Sequence, residues 1–260
     1  LSSAFDGLAA PMIPVVGGEG AKTIATWERV VDSVLDCGVD RATPIVAIGG
    51  GSVGDLAGFA AATVMRGVPL IQVPTTLLAM VDSSVGGKTG LNAPQGKNLV
   101  GAFHQPSLVH IALGSLETLP AEQYRSGLGE VVKHAVLGDS ALFDFCGDHS
   151  SAVCARDPDA VQYMVSASVS LKASIVAEDA HEHGLRSVLN LGHTVGHAIE
   201  TIQHRLQRPI PHGLCVAMGV YAEAHWAEQR GECPAGTARR VRRLLHQLGL
   251  PDRPGNLDIK

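Results

Sequence analysis

A short apolar run, Pro44-Ile-Val-Ala-Ile-Gly49, passes without a break into Gly49-Gly50-Gly51-Ser52-Val53-Gly54-Asp55 and then into an Ala-rich stretch ending near Met65. A buried strand, a glycine turn and a helix in that order leave few folds open. The next apolar run, Leu70-Ile-Gln-Val-Pro74, reads as the following strand. Upstream, residues 12–16 read as a strand entering the Gly17-Gly18-Glu19-Gly20 turn. Residues 21–37 have a helical apolar period through Ile24, Trp27, Val30, Val31, Val34 and Leu35. Strand, helix, strand, helix, strand implies a parallel sheet with right-handed crossovers. The expected fold is an α/β N-terminal domain with a Rossmann-like parallel sheet, residues 1–117.

From about Pro120 the strand pattern stops. Helical periods cover 121–137, 140–148, 157–178, 187–202, 212–230 and 236–248, broken at Gly138, Pro158, Pro209, Pro211, Gly231 and Pro234. Residues 118–260 are therefore expected to form an all-α C-terminal domain.

Gly49, Gly51 and Gly54 satisfy G-x-G-x-x-G. Without Cβ atoms a phosphate can approach the amides at a helix N-terminus, where the dipole favours anions. A nucleotide or phosphate ligand is expected. The acid that usually holds a dinucleotide's ribose is missing from the end of the next strand, Val73-Pro74-Thr75-Thr76; Glu19 is a candidate for that place. Asp55 also reads as a first-turn acid that complements the dipole.

Asp82-Ser-Ser-Val-Gly-Gly-Lys88-Thr89-Gly-Leu-Asn92 and Gly96-Lys97-Asn98 set a carboxylate, two lysines and two asparagines among glycines. The segment lacks the first glycine of a P-loop, so ATP hydrolysis is excluded. Its cations suit a phosphorylated or carboxylated substrate. The plainer reading is a solvated loop.

Arg186-Ser-Val-Leu-Asn190-Leu-Gly-His193-Thr-Val-Gly-His197 carries four polar groups at three- and four-residue spacing. On one helix they form a column on one face. A catalytic zinc wants three N or O ligands and an open position. His193, His197, His212 and Glu130 are the candidates. Glu130 lies among Leu128, Val131, Val132, Ala135 and Val136, where an unpaired carboxylate is costly. Lys133 pairing with it is the alternative, and spacing does not choose three ligands from the four.

Composition excludes other classes. The net charge is −5, and the Arg239-Arg240…Arg242-Arg243 cluster suits one helix face rather than nucleic acid. Cys37, Cys146, Cys154, Cys215 and Cys233 form no CxxC pair, which fits reduced thiols in a cytoplasmic protein. No apolar run is read as reaching transmembrane length, so no membrane partner is expected. The chain opens at Leu1, so its natural start is expected to be missing.

Together, Gly49-Gly-Gly-Ser-Val-Gly-Asp55, Arg66-Gly67, Val73-Pro-Thr75-Thr76-Leu-Leu, Asp82-Ser-Ser-Val-Gly-Gly-Lys88-Thr, Gly96-Lys97-Asn98, Thr118-Leu-Pro, Glu130-Val-Val-Lys133 and Leu189-Asn190-Leu-Gly-His193-Thr-Val-Gly-His197-Ala-Ile-Glu closely resemble the 3-dehydroquinate synthases of the sugar-phosphate cyclase superfamily. The resemblance runs from about Pro14 to at least Leu250. It implies a dehydroquinate synthase-like fold, a catalytic NAD, a divalent metal (zinc or cobalt) and a homodimer. It implies conversion of 3-deoxy-D-arabino-heptulosonate 7-phosphate, a small phosphorylated sugar acid, to 3-dehydroquinate and phosphate in the shikimate route to aromatic amino acids. NAD is reduced and reoxidised within one turnover, which makes the enzyme a lyase.

Carried over by motif, the implied metal ligands are Glu130, His193 and His212. The implied substrate residues are Asp82, Lys88, Asn98, Lys133, Lys172, Arg186, Asn190 and His197, with Arg66 reaching a neighbouring subunit. The implied NAD residues are Glu19, Lys22, Gly50, Gly51, Val53, Asp55, Thr75, Thr76, Lys97 and Thr118. Two departures stand out. Leu214-Cys215-Val216 replaces the usual Glu-Ala-Val beside a ligand. The family's first strand and helix, and its C-terminal Asp-Lys-Lys motif, are absent, the chain ending Asp258-Ile259-Lys260. The competing readings are another sugar-phosphate cyclase of the aminodehydroquinate or valiolone type, a metal-dependent NAD polyol dehydrogenase, and a truncated non-catalytic homologue.

Overall fold

The computed structural model describes residues 10–138 and 140–256, which form two compact units. The terminal Asp258-Ile259-Lys260 lies outside the described residues. The first unit comprises Leu1–Val73 and Gly87–His110; the second comprises Pro74–Gly86 and Ile111–Lys260.

In the first unit, α1 (Ile24–Asp36) starts at Thr23, whose side chain accepts from the Thr26 amide, a cap worth about 1 kcal/mol. Strand β1 (Ile45–Gly49) feeds α2 (Gly51–Thr63) through Gly50. Strands β2 (Leu70–Pro74) and β5 (Leu108–Val109) complete a sheet of order β1-β2-β5. The β2–β5 pair is parallel, with Ile71 opposite Leu108. Its core gathers Val30, Val34, Ala47, Leu56, Ala60, Leu70 and Leu91. Helix α2 lies close to its neighbours because Gly54 and Gly58 lack side chains: a Cβ there would stand 2.7 Å from the Gln72 side chain and 2.4 Å from that of Thr89.

Two expectations change here. Residues 12–16 belong to neither sheet; Ile13 and Val15 instead pack their side chains on the core. The polar segment is not a solvated loop. Its second half is an antiparallel hairpin, β3 (Lys88–Ala93) and β4 (Gly96–Phe103), with Gly90 opposite Gly101 and a register shift between Leu91 and Ala93. Alternation is weak in a Gly- and Asn-rich strand, so the ladder escaped a reading by hydrophobic period.

The second unit is helical: α3 (Ala121–Gly138), α4 (Ser140–Asp148), α5 (Ser150–Ala155), α6 (Pro158–Glu178), α7 (His193–Arg205), α8 (His212–Gln229) and α9 (Thr237–Gln247). The segment after β2 belongs here too. It ends in a π-helical turn, Ala79–Ser83, that carries Asp82. Leu77, Met80 and Val81 join the core of Leu128, Val132, Leu142, Met164, Val216 and Leu245.

Helix α6 corrects the reading that no apolar run reaches transmembrane length. Its 21 residues are long and apolar enough to cross a bilayer by length and composition, because only Asp159, Lys172 and Glu178 are charged. Here it turns Val161, Met164 and Val165 into the core, and it opens with an Asp157 cap on the Ala160 amide followed by Pro158.

The expected helix over 187–202 is two elements. Leu185–Asn190 forms a 3-10 helix, Leu191 leaves the helical region (φ −52°, ψ 130°) and Gly192 is left-handed (φ 79°), so α7 begins at His193. The column of Arg186, Asn190, His193 and His197 on one helical face therefore does not exist. The glycine whose conformation breaks it was read as an interior helix residue.

Candidate functional site

Three helices of the second unit meet through glycines. A Cβ on Gly129 of α3 would stand 1.9 Å from the carbonyl oxygen of Gly213 on α8. A Cβ on Gly213 would stand 1.8 Å from that of Ser126, and one on Gly219 would stand 1.9 Å from that of Gly192. Backbone thus rests against backbone. That approach sets Glu130 of α3, His193 at the start of α7 and His212 at the start of α8 around one point.

The Glu130 Oε1 atom is 3.5 Å from His212 Nε2 and 3.8 Å from His193 Nε2. Glu130 is fully buried, and neither carboxylate oxygen makes a well-directed hydrogen bond; the His212 contact is an ion pair only. Lys133 Nζ stands 2.5 Å from the other oxygen, Oε2. Each imidazole has its other nitrogen occupied. His193 Nδ1 is 3.2 Å from the Leu191 carbonyl oxygen, and His212 Nδ1 is 3.0 Å from Glu200 Oε2. Both Nε2 atoms are thereby turned toward Glu130 Oε1. Donors about 2.0–2.1 Å from a tetrahedral zinc stand about 3.4 Å apart, so the two Oε1–Nε2 separations, an oxygen without a hydrogen-bond partner among the described residues and the N/N/O chemistry fit a divalent metal. The rings of His193, His197 and His212 lie 5.2–5.5 Å apart by centroid, and their nitrogens also fall within ligand-sharing distance.

Electrostatics follow from this crowding. Burial is the largest influence on the Glu130 carboxyl and works to raise it, but Lys133, His212 and His193 together outweigh burial and Asp82 and hold the group below its usual range. Burial works to lower His212, but its contacts with Glu130 and Glu200 push it up to about 10. His193 is lowered, chiefly by burial.

Beside this triangle sits a carboxylate shared between two ammonium groups. Asp82 Oδ1 accepts from Lys172 Nζ at 2.8 Å and lies 3.5 Å from Lys133 Nζ; Lys172 also donates to the Asp82 carbonyl oxygen at 2.5 Å. Burial opposes its charge, but Lys172 and Lys133 keep the Asp82 carboxyl well below the usual range. Burial lowers the Lys172 ammonium in spite of Asp82. Asp82→Ala leaves two buried cations short of an anion. The expected loss is about 3 kcal/mol, the low end for a broken buried pair because Lys172 keeps its backbone carbonyl. Chemical denaturation checks this, and a loss under about 0.5 kcal/mol would show that the ammonium groups find other partners.

Arg186 is buried. Its guanidinium donates to the Ala180 and Gly86 carbonyl oxygens at 2.7 and 2.9 Å, while its amide donates to Asp179. Asn190 is exposed and donates to Glu182 at 3.3 Å. Thr75, Thr76 and Thr118 also lie in the second unit, where Thr76 Oγ1 accepts from the Ala79 amide and Thr118 Oγ1 donates to the Ser115 carbonyl. Leu214, the departure beside His212, is buried in the core.

The first unit holds the glycine turn. Gly50 offers no side-chain cap to α2, whose first intrahelical acceptor is the Gly50 carbonyl for Val53 and Gly54. The earlier amides of that end, at Gly51 and Ser52, are the donors a phosphate would use. Glu19 is exposed and accepts from Ser52 Oγ at 3.2 Å and Asn92 Nδ2 at 3.0 Å. A carboxylate next to a glycine-rich helix start fits the ribose and pyrophosphate of a dinucleotide. Lys22 is buried, 2.7 Å from Asp55 Oδ2 and in contact with Asn98 Oδ1. So Asn98 joins the Lys22–Asp55 group, and its amide donates to Asn92. Lys88 and Lys97 are exposed on the hairpin. Arg66 follows Met65 in a turn where both have left-handed φ (67° and 49°).

A sequence profile described as 3-dehydroquinate synthase N-terminal matches residues 12–126, and one described as 3-dehydroquinate synthase C-terminal matches residues 127–260. The chain belongs to the 3-dehydroquinate synthase family. It is 47% identical over 242 residues to the 3-dehydroquinate synthase of Citrifermentans bemidjiense, an alignment covering 92% of this chain and 66% of that one. The chain thus spans just under two thirds of that relative. Among solved structures it is similar to ValA, a 2-epi-5-epi-valiolone synthase from Streptomyces hygroscopicus subsp. jinggangensis 5008 with NAD+ and Zn2+ bound (TM-score 0.85, 31% identity, 94% of this chain and 68% of that chain). It is also similar to a 2-deoxy-scyllo-inosose synthase complexed with carbaglucose-6-phosphate, NAD+ and Co2+ (TM-score 0.83, 32% identity, 92% and 66%). The fold is that of the dehydroquinate synthase-like cyclases.

Reading the family motifs residue by residue passed over two members of this neighbourhood. Glu200 lies seven residues after His193 and three after His197, a spacing that keeps one helix face. His134 follows Glu130 by four, is fully buried, and has no hydrogen-bond partner on either ring nitrogen among the described residues. It lies 3.9 Å from Asp82 Oδ1, and burial pushes it down to about 4.

Proposed function

We propose that this chain carries out the 3-dehydroquinate synthase reaction: 3-deoxy-D-arabino-heptulosonate 7-phosphate to 3-dehydroquinate and phosphate, as a cytoplasmic homodimer. The observation that carries the reading is the buried Glu130 Oε1, without a hydrogen-bond partner among the described residues, facing the Nε2 atoms of His193 and His212, in a chain of this family.

Glu130, His193 and His212 would hold the metal. Glu19, Lys22, the Gly50–Asp55 turn, Thr75, Thr76, Lys97 and Thr118 would hold NAD. When bound, NAD supplies a reversible hydride acceptor and the metal a Lewis acid for a substrate hydroxyl. The chain's own groups do the rest. Lys133 and Lys172, bridged by Asp82, supply buried positive charge for the anionic ends of the substrate. His197 is exposed on the His193 face of α7, where it meets substrate rather than metal. Asn190 supplies an amide there. Arg186 holds Gly86 and Ala180 and adds its charge to the same region. Lys88 and Asn98 belong to the substrate set, and the exposed Arg66 reaches the partner subunit.

The test uses the purified chain with the heptulosonate phosphate, NAD and zinc, following phosphate release and NADH absorbance together. Phosphate release without net NADH, falling at least about 100-fold in Lys88→Ala, is the expected result. Net NADH from a plain alcohol would make the chain a dehydrogenase. No release by folded, metal-loaded protein would point to another sugar phosphate or to a non-catalytic member.

A further inference from the structure

We propose that Glu200 is the positioning residue for His212, fixing the ring so that only Nε2 is offered to the metal; this rests on the Glu130–His193–His212 reading above. His212 has a carboxylate at each edge, Glu200 Oε2 at 3.0 Å from Nδ1 and Glu130 Oε1 at 3.5 Å from Nε2. In the metal-bound form the imidazole is neutral, with one N–H to donate and one lone pair to give, the ion taking the place of the second proton. With the N–H committed to Glu200, the lone pair sits on Nε2, on the Glu130 side.

The other histidine is set differently. His193 Nδ1 meets a neutral backbone carbonyl at Leu191. That stretch is itself tied down, because the Gly192 amide donates to Glu223 Oε2 at 2.7 Å. Of these two Nδ1 contacts, the one at His212 is to a charged group. Glu200 is largely buried on α7, and His212 opens α8, so the contact also joins the two helices that carry the histidines. Glu200 is no substitute ligand, since it meets the ring at the edge away from Glu130.

The test is zinc affinity by competition with a chromophoric chelator, for the full chain and for Glu200→Ala and Glu200→Gln. Glu200→Ala is expected to weaken zinc about 10–100-fold, and Glu200→Gln, which keeps an acceptor but no charge, to fall between it and the parent. The visible spectrum of the cobalt-loaded protein should change in Glu200→Ala, a readout that a helix-joining role alone would leave alone. Should Glu200→Ala fail to fold, the near-isosteric Glu200→Gln decides by the same affinity. Parent-like zinc affinity in folded variants overturns the proposal while the metal site stands. A parent chain that binds no zinc overturns the metal reading, and the proposal with it.

Discussion

Gly213→Ala is expected to remove metal binding and to destabilise the second unit by roughly 3 kcal/mol or more. Overpacking a tight interior typically costs about 1–3 kcal/mol when side chains can yield. Here the new methyl would lie 1.8 Å from the Ser126 carbonyl oxygen, which is backbone inside α3 and cannot rotate away. The helices must separate, and Glu130 and His212 separate with them. Gly17→Ala is the control: nothing lies within 4 Å of its added Cβ, so its effect should stay within about 0.5 kcal/mol. Zinc affinity and a denaturation curve on both variants give the answer. A Gly213→Ala protein that binds zinc like the parent would mean that the triangle is set by something other than helix approach.

The second large effect separates the two histidines of α7. His193→Ala should weaken zinc by more than about 100-fold, beyond the range expected for losing an orienting partner, whereas His197→Ala should leave affinity near the parent value and impair turnover. The reason is geometric: His193 Nε2 faces a buried carboxylate oxygen that has no hydrogen-bond partner among the described residues, while His197 is exposed. The rival arrangement uses His193, His197 and His212, whose nitrogens are close enough to share an ion. Equal loss of zinc in both variants would favour that rival, and Glu130→Gln would then bind zinc normally.

Much of this was legible in the chain. The run from Pro44 to Asp55 announces strand, turn and helix because glycine placement and apolar continuity are local properties. The helices after Pro120 follow from period and from proline and glycine breaks. His193, His212 and Glu130 were visible as candidates by residue type. What stayed hidden depends on conformation or on distant contacts. Nothing local marks Gly192 as left-handed rather than helical, so Arg186 and Asn190 were set on a face they do not share with His193. The hairpin of Lys88 and Asn98 lacks an alternating pattern. Glu200's role needs His212, which spacing alone does not bring to it.

The glycine contacts among α3, α7 and α8 also bear on how the chain reaches its folded state. Glu130 is made long before His212, and no stretch of chain between them contains a complete ligand set. On the proposed Glu130–His193–His212 ligand set, a metal is captured only after these three helices have docked. Zinc held by that set would act as a latch on a late folding event, adding about 2.7 kcal/mol at a free concentration one hundred times its dissociation constant. That increment belongs to the docked state alone, so it should slow the unfolding of the second unit while leaving the formation of its separate helices untouched.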